Sequence, residues 1–216
     1  MADILQKIKD WDFTSKDSSV TMNLDYTELA EISDVIDRKL WLIDEINENI
    51  IGNIVYSILR YNAEDKGKSV EKRKPIYLYI SSPGGDVYEG LGLVSAIQAS
   101  ITPIKTICLG QACSMALIIF LSGHERYCMP NSIFLMHEGT EGIWGDSSSK
   151  VAETITFHSG SLAKKIEEII LSKTNITKKQ YKEKYKIEWY FLSDEAKKLG
   201  ITDYIINQDC DLDNIV

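Results

Sequence analysis

The sequence predicts an α/β fold with buried, largely parallel strands, and three observations lead to that prediction. Short apolar runs rich in β-branched residues recur along the chain, and most are followed by a segment with helical spacing of its apolar residues. Turns that contain glycine, proline or several polar residues separate the two kinds of segment. Because alternating strands and helices fold into a sheet covered by helices, we expect a single α/β domain.

The first half of the chain contains two predicted strand–helix units. Residues 1–35 show only weak periodicity and are predicted to form a terminal segment rather than a folded unit. The apolar run at 39–43 predicts a buried strand, and isoleucines four residues apart within 45–61 predict a helix. A second strand is predicted at 76–80, and the apolar spacing of 87–100 predicts the helix after it.

A third unit lies in the middle of the chain. A strand is predicted at 104–109, followed by a glycine-containing turn at 110–113 and a strongly apolar helix that begins at Ser114. Two short strands are then predicted at 126–129 and 133–136, on either side of a proline turn.

The last third of the chain is predicted to be mostly helical. Residues 138–149 are rich in glycine and polar side chains, which predicts an irregular or extended excursion. An amphipathic pattern predicts a long helix at 150–172, and shorter helices are predicted at 175–186 and 193–199. The run at 204–206 is the last predicted strand.

Composition and charge disfavour several classes of protein. The hydrophobic fraction of 44% and the charged fraction of 26% are typical of globular domains. The formal charge of -8 would repel a phosphate backbone, so we expect no nucleic acid as a partner. The apolar stretch at 115–121 is far shorter than the roughly 20 residues that cross a bilayer, so no membrane partner is expected.

The first residues lack the apolar core of a signal peptide, and the four cysteines form no CxxC pair. Both features favour a cytoplasmic protein with reduced, buried thiols.

Ser114 is the best candidate for a nucleophile. It opens a helix after a buried strand, at the edge where α/β folds bind ligands. The helix start offers the free N–H of Met115 and the positive end of the helix dipole, which stabilise charge on an attacked carbonyl oxygen. The consecutive glycines at 84–85 could supply a second donor. The alternatives are a serine that only caps its helix and glycines that only form a turn.

His137 is the best candidate for a general base, because it follows a predicted strand and can reach the same edge of the sheet. His124 lies in a polar turn and His158 on the long helix, so we interpret both as surface or packing residues. Glu141 stands where an HExxH zinc motif needs its second histidine, and no phosphate-binding loop occurs. We therefore expect neither metal nor nucleotide cofactor. Cys113 is an alternative nucleophile, as a thiolate.

Together these motifs resemble the ClpP family of caseinolytic serine peptidases. They are YLYISSPGGDV at 77–87, GQACSM at 110–115, MPNSIFLMH at 129–137 and EA-x3-G-x2-D at 195–203. The resemblance covers roughly residues 36–216. It implies the ClpP/crotonase type of α/β fold, a β-α superhelical arrangement in which flanking helices cover a stacked sheet core.

Specific roles follow from the resemblance. Ser114 is similar to the family's nucleophile and His137 to its base, while the backbone N–H groups of Gly85 and Met115 are similar to its oxyanion hole. Residues 138–172 resemble the family's handle, an extended segment plus a long helix that joins two heptameric rings.

The implied partners are further copies of this chain in two stacked rings, an AAA+ unfoldase ATPase of the Clp type, and a peptide or unfolded protein as substrate. Residues 1–35 would be an axial-loop-like or flexible segment ahead of a peptidase domain at 36–216. No cofactor is implied.

The acid that completes the triad is the point at which the resemblance is incomplete. Alignment back from the EA pair places Glu188 where the family has aspartate, whereas alignment on FLS at 191–193 places Trp189 there. A glutamate can accept a hydrogen bond from histidine and stabilise the imidazolium, so we expect Glu188 to be the acid. Asp194 is the alternative, and Asp203 is interpreted as structural.

Two rival functions stay open at this stage. The missing aspartate favours a catalytically silent subunit that serves as a structural component of a mixed ring. An acyl-CoA enzyme of the crotonase group would share the fold and the oxyanion hole, but it would not require Ser114 and His137 together.

Overall fold

A computed structural model of the chain describes residues 26–139 and 148–215. Most of the predicted N-terminal segment and most of the predicted excursion after His137 therefore lie outside the described residues. Within those two ranges, no helix combines the length and the apolar character needed to cross a bilayer.

The first described element is helix α1 (Tyr26–Asp37), which corrects the expectation for the end of the terminal segment. Tertiary contacts stabilise it: the Tyr61 hydroxyl donates to the Val35 carbonyl at 2.9 Å, and the Trp41 indole donates to Asp34 at 2.7 Å. Weak apolar periodicity could not reveal such contacts.

Two strand–helix units follow and confirm the predicted order. They are β1 (Lys39–Ile43), α2 (Glu48–Glu64), β2 (Ile76–Ser82) and α3 (Val87–Ala99). Asn47 caps the start of α2 and Asp86 caps the start of α3, and each side chain accepts two backbone N–H groups of the first helical turn.

The third unit contains one correction. Strand β3 (Ile104–Cys113) runs through the residues predicted as a turn. Its first part pairs with β4 (Glu125–Cys128), and its last part, from Gln111, pairs with β5 (Ile133–Met136). Gly110 marks the change of neighbour rather than the end of the strand. The apolar helix α4 (Met115–Ser122) follows directly.

The long helix predicted at 150–172 is interrupted in the structure. This part of the chain forms α5 (Ser148–Phe157), a π-helical turn (His158–Leu162) and α6 (Ala163–Lys173). Strand β6, just after the predicted helix at 175–186, was not predicted from the sequence. The other elements are α7 (Lys178–Lys184), β6 (Trp189–Leu192), α8 (Ser193–Lys198) and β7 (Tyr204–Ile205), with 3-10 turns at Val70–Lys72 and Leu212–Asn214.

The strands form one sheet in the order β1-β2-β3-β4-β7, with β5 beside the end of β3 and β6 beside β5. Every pairing among the described strands is parallel except that of β5 with β6. This confirms the largely parallel sheet. Alternate residues of β2 and β3 face opposite sides, so Ile80 packs into the main core under the helices and Tyr79 into a smaller apolar cluster behind the sheet.

A buried ion pair joins the start of β1 to the end of α2. The Arg38 guanidinium donates to both carboxylate oxygens of Asp65, at 2.6 and 3.1 Å, and Asp65 is fully buried. Thr102 and Lys68 also donate to this carboxylate, each at 2.8 Å. The hydrogen bonds from Arg38 hold the pKa of Asp65 well below its usual range.

Candidate active site

The candidate residues collect where parallel strands end. Cys113, the last residue of β3, lies opposite Leu135 of β5. Ser114 directly follows β3, and His137 directly follows β5, so both leave the sheet at the same edge. Both line one cavity of about 40 Å³, as the sequence analysis expected of strand ends.

Ser114 forms the sharp connection between β3 and α4. Its backbone has φ 54 and ψ -124, a conformation that is rare for a residue with a side chain. Its N–H donates to the Leu135 carbonyl at 2.9 Å, and its own carbonyl accepts the Leu117 N–H at 3.0 Å. The side chain makes no capping hydrogen bond to α4, so the hydroxyl does not have the role of an ordinary helix cap.

The two glycines of the SPGG turn pack against this connection. A Cβ at Gly84 would lie 2.8 Å from the Cys113 carbonyl oxygen and 2.8 Å from the Ser114 Cβ, and Gly84 has φ +106. Both the conformation and the close approach require glycine.

Gly85 lies next in the same turn, with φ +141. It forms a bridge with Ile46, in which the Ile46 N–H donates to the Gly84 carbonyl at 2.7 Å and the Asp86 N–H donates to the Ile46 carbonyl at 3.0 Å. Neither bond uses the Gly85 N–H, and this group donates to no backbone carbonyl among the described residues. The N–H of Met115, the first residue of α4, likewise lies beside the turn, 3.2 Å from where a Gly84 Cβ would be.

The antiparallel pair β5–β6 brings an acid to His137. Met136 lies opposite Trp189, so the residue after Met136 meets the residue before Trp189. Those residues are His137 and Glu188, and their Nδ1 and Oε1 atoms lie 2.9 Å apart. The His137 side chain is 20% exposed and that of Glu188 58% exposed.

Ser114 and His137 share a cavity but are not joined by a hydrogen bond in the described part of the chain. Because Nδ1 of His137 faces Glu188, Nε2 is the ring nitrogen that would be available to Ser114. Catalytic hydrogen bonds are often long in proteins without substrate.

The alternative acids lie elsewhere. Asp194 is exposed in the first turn of α8, and among the described contacts none joins it to His137. Asp203 holds Arg126, with its two carboxylate oxygens 2.6 and 3.0 Å from guanidinium nitrogens. That pair ties β4 to the segment before β7, which is the structural role expected of Asp203.

The alternative nucleophile and bases are also in unfavourable places. Cys113 is buried in β3, and burial raises the pKa of its thiol, which disfavours a thiolate. His124 accepts the Ile104 N–H at 3.1 Å at the opposite end of β3. His158 is buried on the π-helical turn, where its Nε2 makes a short contact with the Tyr88 hydroxyl.

Several residues around the cavity could not be identified from the sequence, and Tyr185 and Gly90 are two examples. Tyr185, directly after α7, lines the cavity, and nothing in its sequence surroundings indicates that position. Gly90 of α3 packs on Met115, because a Cβ there would come within 2.4 Å of the Met115 side chain. Its helical surroundings were visible in the sequence, but the close approach was not.

Comparison with known proteins gives a consistent result. The family model described as "Clp protease" matches residues 26–209. Over 187 residues the chain is 32% identical to a protein of Synechococcus sp. (strain CC9605) named "ATP-dependent Clp protease proteolytic subunit 3", covering 84% of this chain and 86% of that protein. A solved structure of a ClpP1 mutant from Listeria monocytogenes superimposes with a TM-score of 0.69 at 21% identity, covering 85% of this chain and 98% of the other. The likeness to that structure shows the shared fold.

Proposed function

This chain belongs to the Clp protease family, and from that premise we propose that it is a serine endopeptidase subunit that hydrolyses peptides and unfolded proteins. The observation that carries the proposal is the His137–Glu188 pair at 2.9 Å, in a cavity that Ser114 also lines. A nucleophile, a base and an orienting acid thus come from three different strand ends.

In the proposed reaction, Ser114 attacks the carbonyl carbon of the scissile peptide bond. His137 removes the hydroxyl proton through Nε2, and Glu188 accepts a hydrogen bond from Nδ1 and stabilises the imidazolium that forms. His137 then gives the proton to the leaving amine, so an acyl-enzyme on Ser114 and a free amine result. Water, deprotonated by His137, hydrolyses the acyl-enzyme and restores the serine.

The N–H groups of Gly85 and Met115 are proposed to bind the oxyanion that forms during both steps. Two features support this: the Gly85 N–H is left unused by its bridge to Ile46, and the Met115 N–H opens α4, where the helix dipole favours negative charge. Donors fixed before the reaction stabilise a developing charge without reorganisation.

The family also implies oligomeric rings. We propose that copies of this chain form two stacked heptameric rings and that a Clp-type AAA+ unfoldase delivers folded substrates. The name of the Synechococcus relative, a proteolytic subunit of an ATP-dependent protease, supports a separate ATPase. The helix from Ser148 to Lys173 corresponds to the helical part of the predicted handle.

A serine-directed fluorophosphonate probe tests the catalytic proposal. We expect the wild type to be labelled and Ser114→Ala to lose labelling, whereas Ser95→Ala, an exposed serine of α3, should label normally. Absent labelling of the wild type, or undiminished labelling of Ser114→Ala, would contradict the proposal.

A catalytically silent ring subunit is the second candidate. It is favoured by the lack of a described hydrogen bond between Ser114 and His137 and by the exposure of Glu188. It predicts no probe labelling and no peptide hydrolysis by a protein whose native mass is that of an assembled ring. Labelling at Ser114 would exclude it.

A further inference from the structure

The cavity beside Ser114 is small and is lined mainly by apolar side chains. Its volume of about 40 Å³ holds roughly three water-sized groups. Leu117 and Ile118 of α4 form one part of the wall, and Ile166 and Ile170 of α6 form another. A side chain next to an attacked carbonyl would have to fit this space.

Tyr185 has the largest side chain among the described residues that line the cavity. Its backbone and its ring both make contacts in the described part of the chain. Its N–H donates to the Tyr181 carbonyl at 2.8 Å, and its carbonyl accepts the Glu138 N–H at 2.7 Å. Its ring stacks on that of Tyr181, with 4.6 Å between ring centres, and Tyr181 is itself buried.

The bond to Glu138 connects this wall to the residue that follows the proposed base. The Tyr185 backbone is therefore tied to the segment that carries His137 and, through the β3–β5 pairing, to Ser114, while stacking on Tyr181 positions the ring. A wall supported in this way disfavours a large side chain, because packed side chains resist overfilling.

We propose that Tyr185 is a specificity-determining residue, which limits the side chain on the acyl side of the cleaved bond to small apolar groups such as alanine. The inference rests on the proposed peptidase function. Tyr185 takes no part in the proposed chemical steps, so its replacement should change the selectivity between peptides and leave the mechanism of cleavage unchanged.

The test uses two fluorogenic peptides that differ only in alanine or phenylalanine before the cleaved bond. The measured quantity is the ratio of kcat/KM for the alanine peptide to kcat/KM for the phenylalanine peptide, at the native mass of the wild type. We expect the wild type to favour alanine, and Tyr185→Ala to lower the ratio by about tenfold or more, since a few carbon atoms in an apolar pocket change selectivity by that amount.

Two controls isolate the ring from other effects. Tyr185→Phe keeps the ring and should leave the ratio unchanged. Tyr56→Ala removes the same atoms from a side chain that is 69% exposed on α2 and should also leave it unchanged. If Tyr185→Ala does not fold, Tyr185→Leu retains an apolar contact with Tyr181 and should shift the ratio in the same direction.

The outcomes separate the two proposals. A wild type that favours phenylalanine, or an unchanged ratio in both Tyr185→Ala and Tyr185→Leu, would overturn the role of Tyr185 while Ser114 is still labelled by fluorophosphonate. A wild type that neither labels nor cleaves would overturn the peptidase function, and the role of Tyr185 with it.

Discussion

At the scale of single residues, the site depends on backbone conformations that most residues avoid. Ser114 at φ 54 keeps its side chain out of α4, and this conformation is held by the hydrogen bond to the Leu135 carbonyl. Such conformations cost about 1–3 kcal/mol each and persist only where the surroundings fix them. The packing of Gly84 against the Ser114 Cβ is one part of those surroundings.

Gly84→Ala should therefore disturb the site directly. The added Cβ would meet backbone at 2.8 Å in a left-handed conformation, so we expect a loss of about 1–3 kcal/mol in the free energy of unfolding and loss of probe labelling. Urea denaturation and labelling measure the two effects. Gly92→Ala is the matched control, because it has open space in α3 and should be neutral or slightly stabilising. Equal behaviour of the two variants would contradict this account.

Glu188→Gln tests the acid. Glutamine can still reach Nδ1 of His137 but cannot stabilise an imidazolium, so we expect kcat/KM for a fluorogenic peptide to fall about a hundredfold or more. Asp194→Asn should leave kcat/KM within about twofold of the wild type. A larger loss in Asp194→Asn than in Glu188→Gln would reverse the assignment.

The sequence could predict Ser114 and His137 because each follows a recognisable strand within a motif. It could also propose Glu188, but only by choosing between two alignments, and the side-chain contact at 2.9 Å depends on strand pairing. Tyr185 could not be found in this way. Its place in the cavity depends on stacking with Tyr181 and on a backbone bond to Glu138, neither of which has a sequence pattern.

At the scale of elements, buried strands and amphipathic helices were predictable and short half-exposed elements were not. Strand β6 has only four residues, and its exposed positions, Tyr190 and Leu192, are as apolar as its buried ones, so the sequence shows no alternation of apolar and polar residues there. The end of β3 was missed for a different reason. Gly110 indicates a turn in sequence, whereas the pairing of Gln111 with Ile133 keeps the strand extended.

The link between β1 and α2 gives a prediction about stability. Asp65→Asn would remove the buried counter-charge of Arg38 and leave only the half-exposed Glu64, so we expect a loss of about 3 kcal/mol in the free energy of unfolding at neutral pH. Urea denaturation measures it. Glu64→Gln removes a partner of the same guanidinium whose side chain is 46% exposed, and should cost less than about 1 kcal/mol.

The same pair predicts how stability depends on pH. Because the folded pKa of Asp65 lies below the unfolded value of about 3.9, the pair stabilises the protein fully above that pH. Its contribution is lost as the pH falls through the lowered folded pKa. In urea titrations from pH 5 to pH 2, Asp65→Asn should lose less stability than the wild type, and parallel curves would contradict this.

At the scale of the whole molecule, the sequence predicted an α/β fold with mostly parallel strands, and the structure confirms both. The sequence could not predict that the last part of β3 pairs with β5 while its first part pairs with β4, since the position of β5 depends on contacts distant in sequence.

The assembly of this chain into stacked rings stays a proposal. One chain leaves Phe157, at the end of α5, 49% exposed, and a large exposed apolar side chain often marks a contact surface.

Phe157→Glu tests the proposed contact between rings. If this part of the helix joins two rings, a charge there should halve the native mass, because each ring would remain intact. Sedimentation of the wild type should give about fourteen subunits and that of the variant about seven. Val70→Glu, at a side chain 58% exposed on a 3-10 turn, should keep the larger mass. If Phe157→Glu also keeps the larger mass, Phe157 lies outside the contact between rings.

The antiparallel pairing of β5 with β6 has a consequence for how the site can vary among related chains. The ladder, not the distance along the sequence, decides which residue meets His137, as the Met136–Trp189 pair shows. A residue gained or lost after β6 leaves that meeting point unchanged, while a slip of one residue within the ladder would present Ile187 or Trp189 instead. The residue of a relative that faces this histidine is therefore best identified by counting outward from the strand pair.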